Sequence, residues 1–212
     1  MAAITKSGLF YPNRLVLATF NALIEVMGEN GLKAILNYAH LREFISHYPP
    51  DNLEREIDFA DFSAIQLAIT EMYGDKGGQA FRKRAGRTTF STCLRKQGAL
   101  AGISSETFSS LPLSTKLQIG LPAMAKIFSQ ISDQAPTIEE DEDNIRYILH
   151  QCPECWGWEK REKANCFYGI GLLEEGLKWI SGGNEFQVNE TKCMAKGDET
   201  CEYSINKEPL LI

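Results

Sequence analysis

Six cysteines and one glutamate are the residues of this sequence best suited to chemistry. Cys166 stands in the apolar run Asn165-Cys166-Phe167-Tyr168-Gly169. Glu190, Cys193 and Cys201 follow, with Gly197-Asp198 between the last two and Glu202-Tyr203 after them. Three thiolates and a carboxylate are a sensible tetrahedral donor set for zinc, with no coordination position left open for catalysis. The plainer reading is a group of small buried thiols beside an unrelated surface glutamate, because cysteine is among the residues most often buried. A further pair, Cys152-Pro153-Glu154-Cys155, has three readings: half of another metal site, a redox couple, or two cysteines without a special role. A metal role needs two more ligands, from the same four residues or from His150. A thioredoxin-type couple should open a helix, and Trp156-Gly157 is a poor helix start. Cys155 therefore competes with Cys166 as a ligand.

These side chains have to be positioned by the elements around them. Ile145 to His150 reads as a strand, and Asn165 to Ile180 as a helix closed by Gly182-Gly183. Glu185 to Thr191 alternates as a strand does, and Thr200 to Ile205 returns antiparallel after the turn at Ala195 to Glu199. The hairpin then carries Glu190, Cys193 and Cys201, and the helix start carries Cys166, where the helix dipole favours a thiolate. Glu190 and Cys193 are three residues apart, so a small irregularity in the strand or the start of the turn must aim both at one point. Upstream, apolar spacing predicts helices over Pro12 to Met27, Gly31 to His40, Phe59 to Tyr73, Gln79 to Gln97 and Ser114 to Ile131, the last interrupted by Pro122. Tyr48 to Asn52 and Gly74 to Gly78 read as breaks, Glu139 to Asn144 as an acidic turn, and Cys152 to Lys163 as a polar loop. Arg82, Lys83, Arg84, Arg87, Arg95 and Lys96 read as a solvated basic helix face.

The bulk properties exclude several classes. At 212 residues, with 43% hydrophobic and 24% charged residues, the chain is long enough for a substantial core without disulfides. A net charge of −6 argues against nucleic acid as a partner. No secretory signal is read at Met1 to Lys6, and no apolar run reaches the ~18 residues of a membrane span. A cytoplasmic location is expected, where cysteines serve as thiols or metal ligands. Neither a phosphate loop, a dinucleotide fingerprint nor a Gly-x-Ser-x-Gly elbow occurs.

Cys166, Gly169-Ile170-Gly171, Glu190-x-x-Cys193, Gly197-Asp198 and Cys201-Glu202-Tyr203 together resemble the 4-vinyl-reductase domain family. That hydrocarbon-binding module occurs in bacteriochlorophyll-biosynthesis accessory proteins and as the sensor domain of phenol- and toluene-responsive regulators. The resemblance is close over about the last 70 residues and one of kind over the N-terminal helices. It implies an α+β fold, an antiparallel sheet flanked by helices, related to the ligand-binding domains of NO signalling and to TRAPP (Golgi transport) proteins. It implies zinc on Cys166, Glu190, Cys193 and Cys201, which decides for Cys166 over Cys155 at the family's ligand position. Residues 1–212 would form a single ligand-binding domain, with 1–110 a mainly helical part and about 140–212 the motif-bearing core. Tyr147, Phe167, Tyr168, Phe186 and Val188 are the expected ligand contacts, each with core packing as its alternative. The functional expectation is a zinc-stabilised binding protein for a hydrophobic, aromatic or tetrapyrrole-like small molecule. It would act as sensor, carrier or accessory factor, with no catalytic residue, as a homodimer or with a protein partner. The alternatives are a vinyl reductase of (bacterio)chlorophyll biosynthesis and a TRAPP-like structural adaptor.

Overall fold

The computed structural model describes residues 3–95, 105–163 and 165–211. Its sheet is antiparallel throughout and has the order β3 (Pro136–Glu140), β4 (Asn144–Leu149), β6 (Cys201–Asn206), β5 (Val188–Lys192). Alternation decides its buried face. Ile145, Tyr147 and Leu149 of β4 lie opposite Ile205, Tyr203 and Cys201 of β6, and all six are buried. The expected strands at 145–150 and 200–205 are thus β4 and β6, whereas β5 starts at Val188 rather than Glu185. The sequence reading missed β3, because Glu139 and Glu140 resemble turn residues. They are instead outward charges on an edge strand, paired with Arg146 at 2.9 Å and Lys207 at 2.8 Å.

The helices are α1 (Asn13–Tyr38), α2 (Glu43–Ser46), α3 (Phe59–Thr89), α4 (Glu106–Ser109), α5 (Leu113–Ile131) and α6 (Phe167–Ser181), and a small ribbon pairs β1 (Phe10–Pro12) with β2 (Arg55–Asp58). Both α1 and α3 are interrupted by one non-helical glycine, Gly28 (φ 72°) and Gly74 (φ 69°), so each span is two helices joined at the break expected from the sequence. After α3 a π turn spans Phe90–Leu94, and the end of the helix expected up to Gln97 lies outside the described residues.

Helix α6 sits against α3 at backbone contact. A Cβ on Gly86 would fall 2.0 Å from the Tyr168 carbonyl oxygen, and one on Gly171 would fall 1.9 Å from that of Lys83. Beside this crossing the buried Glu174 takes Lys83 Nζ and Arg87 Nη2, both at 2.7 Å. The basic face of α3 is therefore only partly solvated. Arg82, expected outward with its neighbours, is fully buried at 0% exposure, because α6 and the loop before it cover that side of the helix. At the start of α3, the Asp58 carboxylate accepts from the Ala60 N–H (2.8 Å), the Ser7 and Gly8 N–H groups (3.0 Å each) and the Ser7 hydroxyl (2.8 Å). It caps the helix and ties the N-terminal segment to it.

Two outcomes follow from these contacts. Gly171→Ala should destabilise the fold by about 3 kcal/mol, because two backbones must separate; urea melts showing parent stability would mean the crossing relaxes freely. Asp58→Ala should cost about 2 kcal/mol at neutral pH. Burial opposes the Asp58 charge, but hydrogen bonds from Ser7, Ala60 and Gly8 outweigh it and hold the carboxyl below its ordinary value. Its contribution is therefore present above the unfolded-state value near 3.9 and fades as pH falls through the lower folded one. The stability gap between parent and variant should narrow in acid.

Candidate metal centre and the adjoining cavity

Five buried thiols meet where α6 begins. Cys166 is the N-cap residue of α6. Cys201 opens β6, opposite Leu149. Cys193 precedes a 3₁₀ turn (Met194–Lys196), held by its own N–H donating to Asp198 Oδ2 at 2.8 Å. The register of β5 against β6 slips between Glu190 and Lys192, and this bulge is the irregularity that lets Glu190 and Cys193 address one point. Cys152 and Cys155 arrive from the loop between β4 and α6, which its polar sequence suggests is a surface loop. Its tip is instead tucked inside, with Cys152, Glu154, Cys155 and Trp158 all buried.

The sulfur separations are 3.7 Å for Cys152–Cys166, 3.5 Å for Cys155–Cys201, 3.8 Å for Cys166–Cys201 and 3.9 Å for Cys166–Cys193. A Zn–S bond of ≈ 2.3 Å requires a tetrahedral S···S edge of about 3.8 Å, so the sulfurs are spaced as a tetrahedral ion needs them. Two donor sets have all their ligand atoms within 4.8 Å of one another. One is Cys152, Cys155, Cys166 and Cys201; the other is Cys166, Glu190, Cys193 and Cys201. The four residues expected from the sequence are thus brought together, and Cys152 and Cys155 join them. Cys93, the remaining cysteine, lies elsewhere, with its sulfur 3.4 Å from the Thr92 hydroxyl.

The electrostatics of the cluster call for a cation. Hydrogen bonds from Cys155, Cys166 and Cys201 hold the Cys193 thiol far below its ordinary value, and hydrogen bonds from the same three cysteines hold Cys152 well below it. Its neighbours push Cys201 far above, and burial does the same to Cys166. Burial, reinforced by Cys193, drives Glu190 up to about 9, although its Oε2 accepts from the Cys166 N–H at 2.8 Å. Its Oε1 has no hydrogen-bond partner. A buried cluster of this kind ionises fully only around a metal ion.

Next to the sulfurs lies a cavity of about 30 Å³, walled by Tyr11, Tyr147, Tyr168 and Tyr203 together with Gln134, Glu154 and Cys152. The hydroxyls of Tyr147 and Tyr203 are buried without a hydrogen-bond partner among the described residues, while that of Tyr168 faces Thr89, Tyr11 and Thr19. Burial pushes the Tyr168 phenol up to about 12, so it remains a donor across the physiological range. Gly169 makes room for one of these groups: a Cβ there would stand 2.3 Å from the Tyr203 hydroxyl oxygen. Glu154 reaches from the cavity wall to the start of α6, accepting from the Tyr168 N–H (2.7 Å) and the Gly169 N–H (2.9 Å). Arg82 Nη1 stands 3.8 Å from the same carboxylate, with Trp158 and Phe167 rings 5.5 and 5.3 Å from its guanidinium carbon. Burial still drives the Glu154 carboxyl up to about 8.

Of the expected ligand contacts, Tyr147 and Tyr168 line this cavity. Phe167 and Val188 border an open groove with Lys76, Lys83 and Glu190, and Phe186 is buried in the core. Tyr11, Gln134, Glu154 and Tyr203 were missed. For Tyr203 a signal existed, since it shares the inward phase of β6 with Cys201; Tyr11, on the far side of the chain, offered none.

Residues 145–207 match the family model of the 4-vinyl-reductase domain. The matched segment is less than a third of the chain. It spans β4, the cysteine-bearing loop, α6 and the β5–β6 hairpin, and so includes every member of the sulfur cluster. No curated protein matches the chain. Among solved structures, the whole chain is similar to H-NOX proteins. A mutant of the T. Tengcongensis protein has TM-score 0.56 at 15% identity, over 94% of this chain and 100% of that one. A mutant from K. algicida, Fe(II) unliganded, has TM-score 0.56 at 13% identity, over 92% and 95%. The S. oneidensis protein in its Fe(II)NO ligation state has TM-score 0.52 at 15% identity, over 92% and 99%. At such identities the likeness establishes the fold, an α+β arrangement of the kind expected from the relation to NO signalling. Among the described residues no helix is long and apolar enough to cross a membrane.

Cys166 and Cys201 belong to both donor sets. Replacing either by serine should abolish uptake of a metal ion by the cluster and lower the melting temperature of metal-exposed protein by well over 10 °C, since metal-binding energy at such a site becomes folding energy. Unchanged metal content and an unchanged melt would show the thiols to be inert.

Proposed function

We propose that this protein is a sensor or carrier whose 4-vinyl-reductase domain, stapled by zinc, binds a small aromatic molecule bearing a polar group. The observation that carries the reading is that one loop serves both sites: Cys152 stands in the cavity wall and in the sulfur cluster, and Glu154 lines the cavity while capping α6. A guest that shifts the loop therefore acts on the metal staple, and the metal in turn fixes the cavity wall. Phenol hydroxyls without partners supply the polar contacts, and Leu149, Leu172, Leu173 and Phe128 supply apolar ones.

Size supports a single ring over a larger guest. The space of about 30 Å³ holds water-sized guests at rest, so a single-ring guest requires a wall side chain to move. A tetrapyrrole needs a pocket roughly ten times larger. H-NOX structures concern heme, but here no histidine lines the cavity and its volume does not suit that group. Occupancy would be reported through a homodimer contact or a protein partner. The adaptor and vinyl-reductase alternatives give this tyrosine-lined space no phenol to bind.

Calorimetric titration of the metal-loaded protein with phenol and cresols tests this. Binding to the parent should weaken at least tenfold in Gly169→Ala, whose new methyl occupies the Tyr203 side of the cavity, while metal content stays that of the parent. Equal affinity in both proteins, or none for any single-ring phenol in the parent, would overturn the reading.

A further inference from the structure

The two donor sets share Cys166 and Cys201 and nothing else. Cys152 and Cys155 complete one set; Glu190 and Cys193 complete the other. We propose that the cluster is a dinuclear zinc centre, in which the Cys166 and Cys201 thiolates bridge two ions and each ion is closed by its own pair of terminal ligands. This rests on the reading of the cluster as a metal staple and extends it by a second ion and by two ligands, Cys152 and Cys155.

Three observations carry it. First, spacing does not choose between the sets. The edges to Cys152 (3.7 Å) and Cys155 (3.5 Å) suit a tetrahedral ion as well as the edge to Cys193 (3.9 Å), and the shared edge between Cys166 and Cys201 is 3.8 Å. Second, a single ion leaves donors idle, all of them buried cysteines except the half-buried Glu190. In one set it strands Cys152 and Cys155, which are 0% and 2% exposed; in the other it strands Cys193 and Glu190, whose Oε1 has no hydrogen-bond partner. Buried polar groups at ligand distance with nothing to bind are rare. Third, the second ion adds no net charge to the interior. One divalent ion offsets two of four anionic donors and two ions offset four of six, so the uncompensated charge is the same either way while every donor is used. Softness fits as well: thiolate-rich sites with one carboxylate select zinc over hard cations.

The bridge gives Cys166 and Cys201 a different standing from the rest. Loss of a terminal pair removes one ion and leaves the other, whereas loss of a bridge disrupts both.

The test is native mass spectrometry and elemental analysis of the full chain after exposure to excess Zn²⁺ and desalting. Two zinc ions per chain are expected in the parent. One is expected in each of two double variants, Cys152→Ser with Cys155→Ser, and Glu190→Gln with Cys193→Ser. One ion in the parent would overturn the dinuclear centre while leaving the staple intact, and none would overturn the staple as well. Two ions retained in either double variant would also overturn it, since those ligands would then be dispensable. A spectroscopic arm needs no variant that folds poorly. In protein loaded with ¹¹³Cd, two resonances split by mutual coupling through the shared sulfurs are expected, and two unsplit resonances would refute the bridges.

Discussion

The arrangement of this molecule depends on the convergence of five thiols and a carboxylate on the first turn of α6. That turn is a natural gathering point for negative charge, because its N–H groups are unpaired within the helix. Glu190 takes the Cys166 N–H and Glu154 takes those of Tyr168 and Gly169. The thiols around them have lost their hydration and have no opposing charge among themselves. A cluster of this kind could hold a metal ion to match their ionisation, and the sulfur separations of 3.5 to 3.9 Å suit a tetrahedral one.

Rigidity on the other side comes from glycine. Gly86 and Gly171 let α3 and α6 meet backbone to backbone, with Glu174 clamped between Lys83 and Arg87 beside them. Fixed against α3 at this crossing and against the hairpin at its start, α6 has little freedom to slide. The loop carrying Cys152, Glu154 and Cys155 is the more adaptable partner. Ser63 and the two tryptophans hold it down: the Ser63 hydroxyl donates to the Trp156 carbonyl at 2.7 Å, and Trp158 Nε1 donates to the Ser63 carbonyl at 3.4 Å. An aromatic guest in the tyrosine cavity would press on this loop, the element that also carries two of the clustered sulfurs. That shared element is the physical link between small-molecule binding and metal retention in the proposed function.

Much of the C-terminal architecture was legible in the sequence because its signals are local. Apolar runs marked β4 and β6, glycines marked the end of α6, and the Glu190-x-x-Cys193 spacing called for an irregularity or an early turn, which β5 supplies as a register shift. The errors occurred where local signals conflict with tertiary context. Glu139 and Glu140 looked like a turn because an exposed edge strand carries the same charges a turn does. Arg82 looked solvated because its neighbours in sequence are basic, and sequence does not show that Trp158, Phe167 and Glu154 close over it from elsewhere.

The sequence by itself determined the donor types, the hairpin and helix that bear four of them, and the family to which the segment belongs, since each depends on identity and short-range spacing. Only the tertiary structure decided that Cys152 and Cys155 stand among the same sulfurs, and that Tyr11 joins Tyr147, Tyr168 and Tyr203 around one cavity. The reason is geometric. Whether a loop turns inward or outward depends on packing against α3, more than sixty residues upstream, and such contacts leave no periodic trace in the chain.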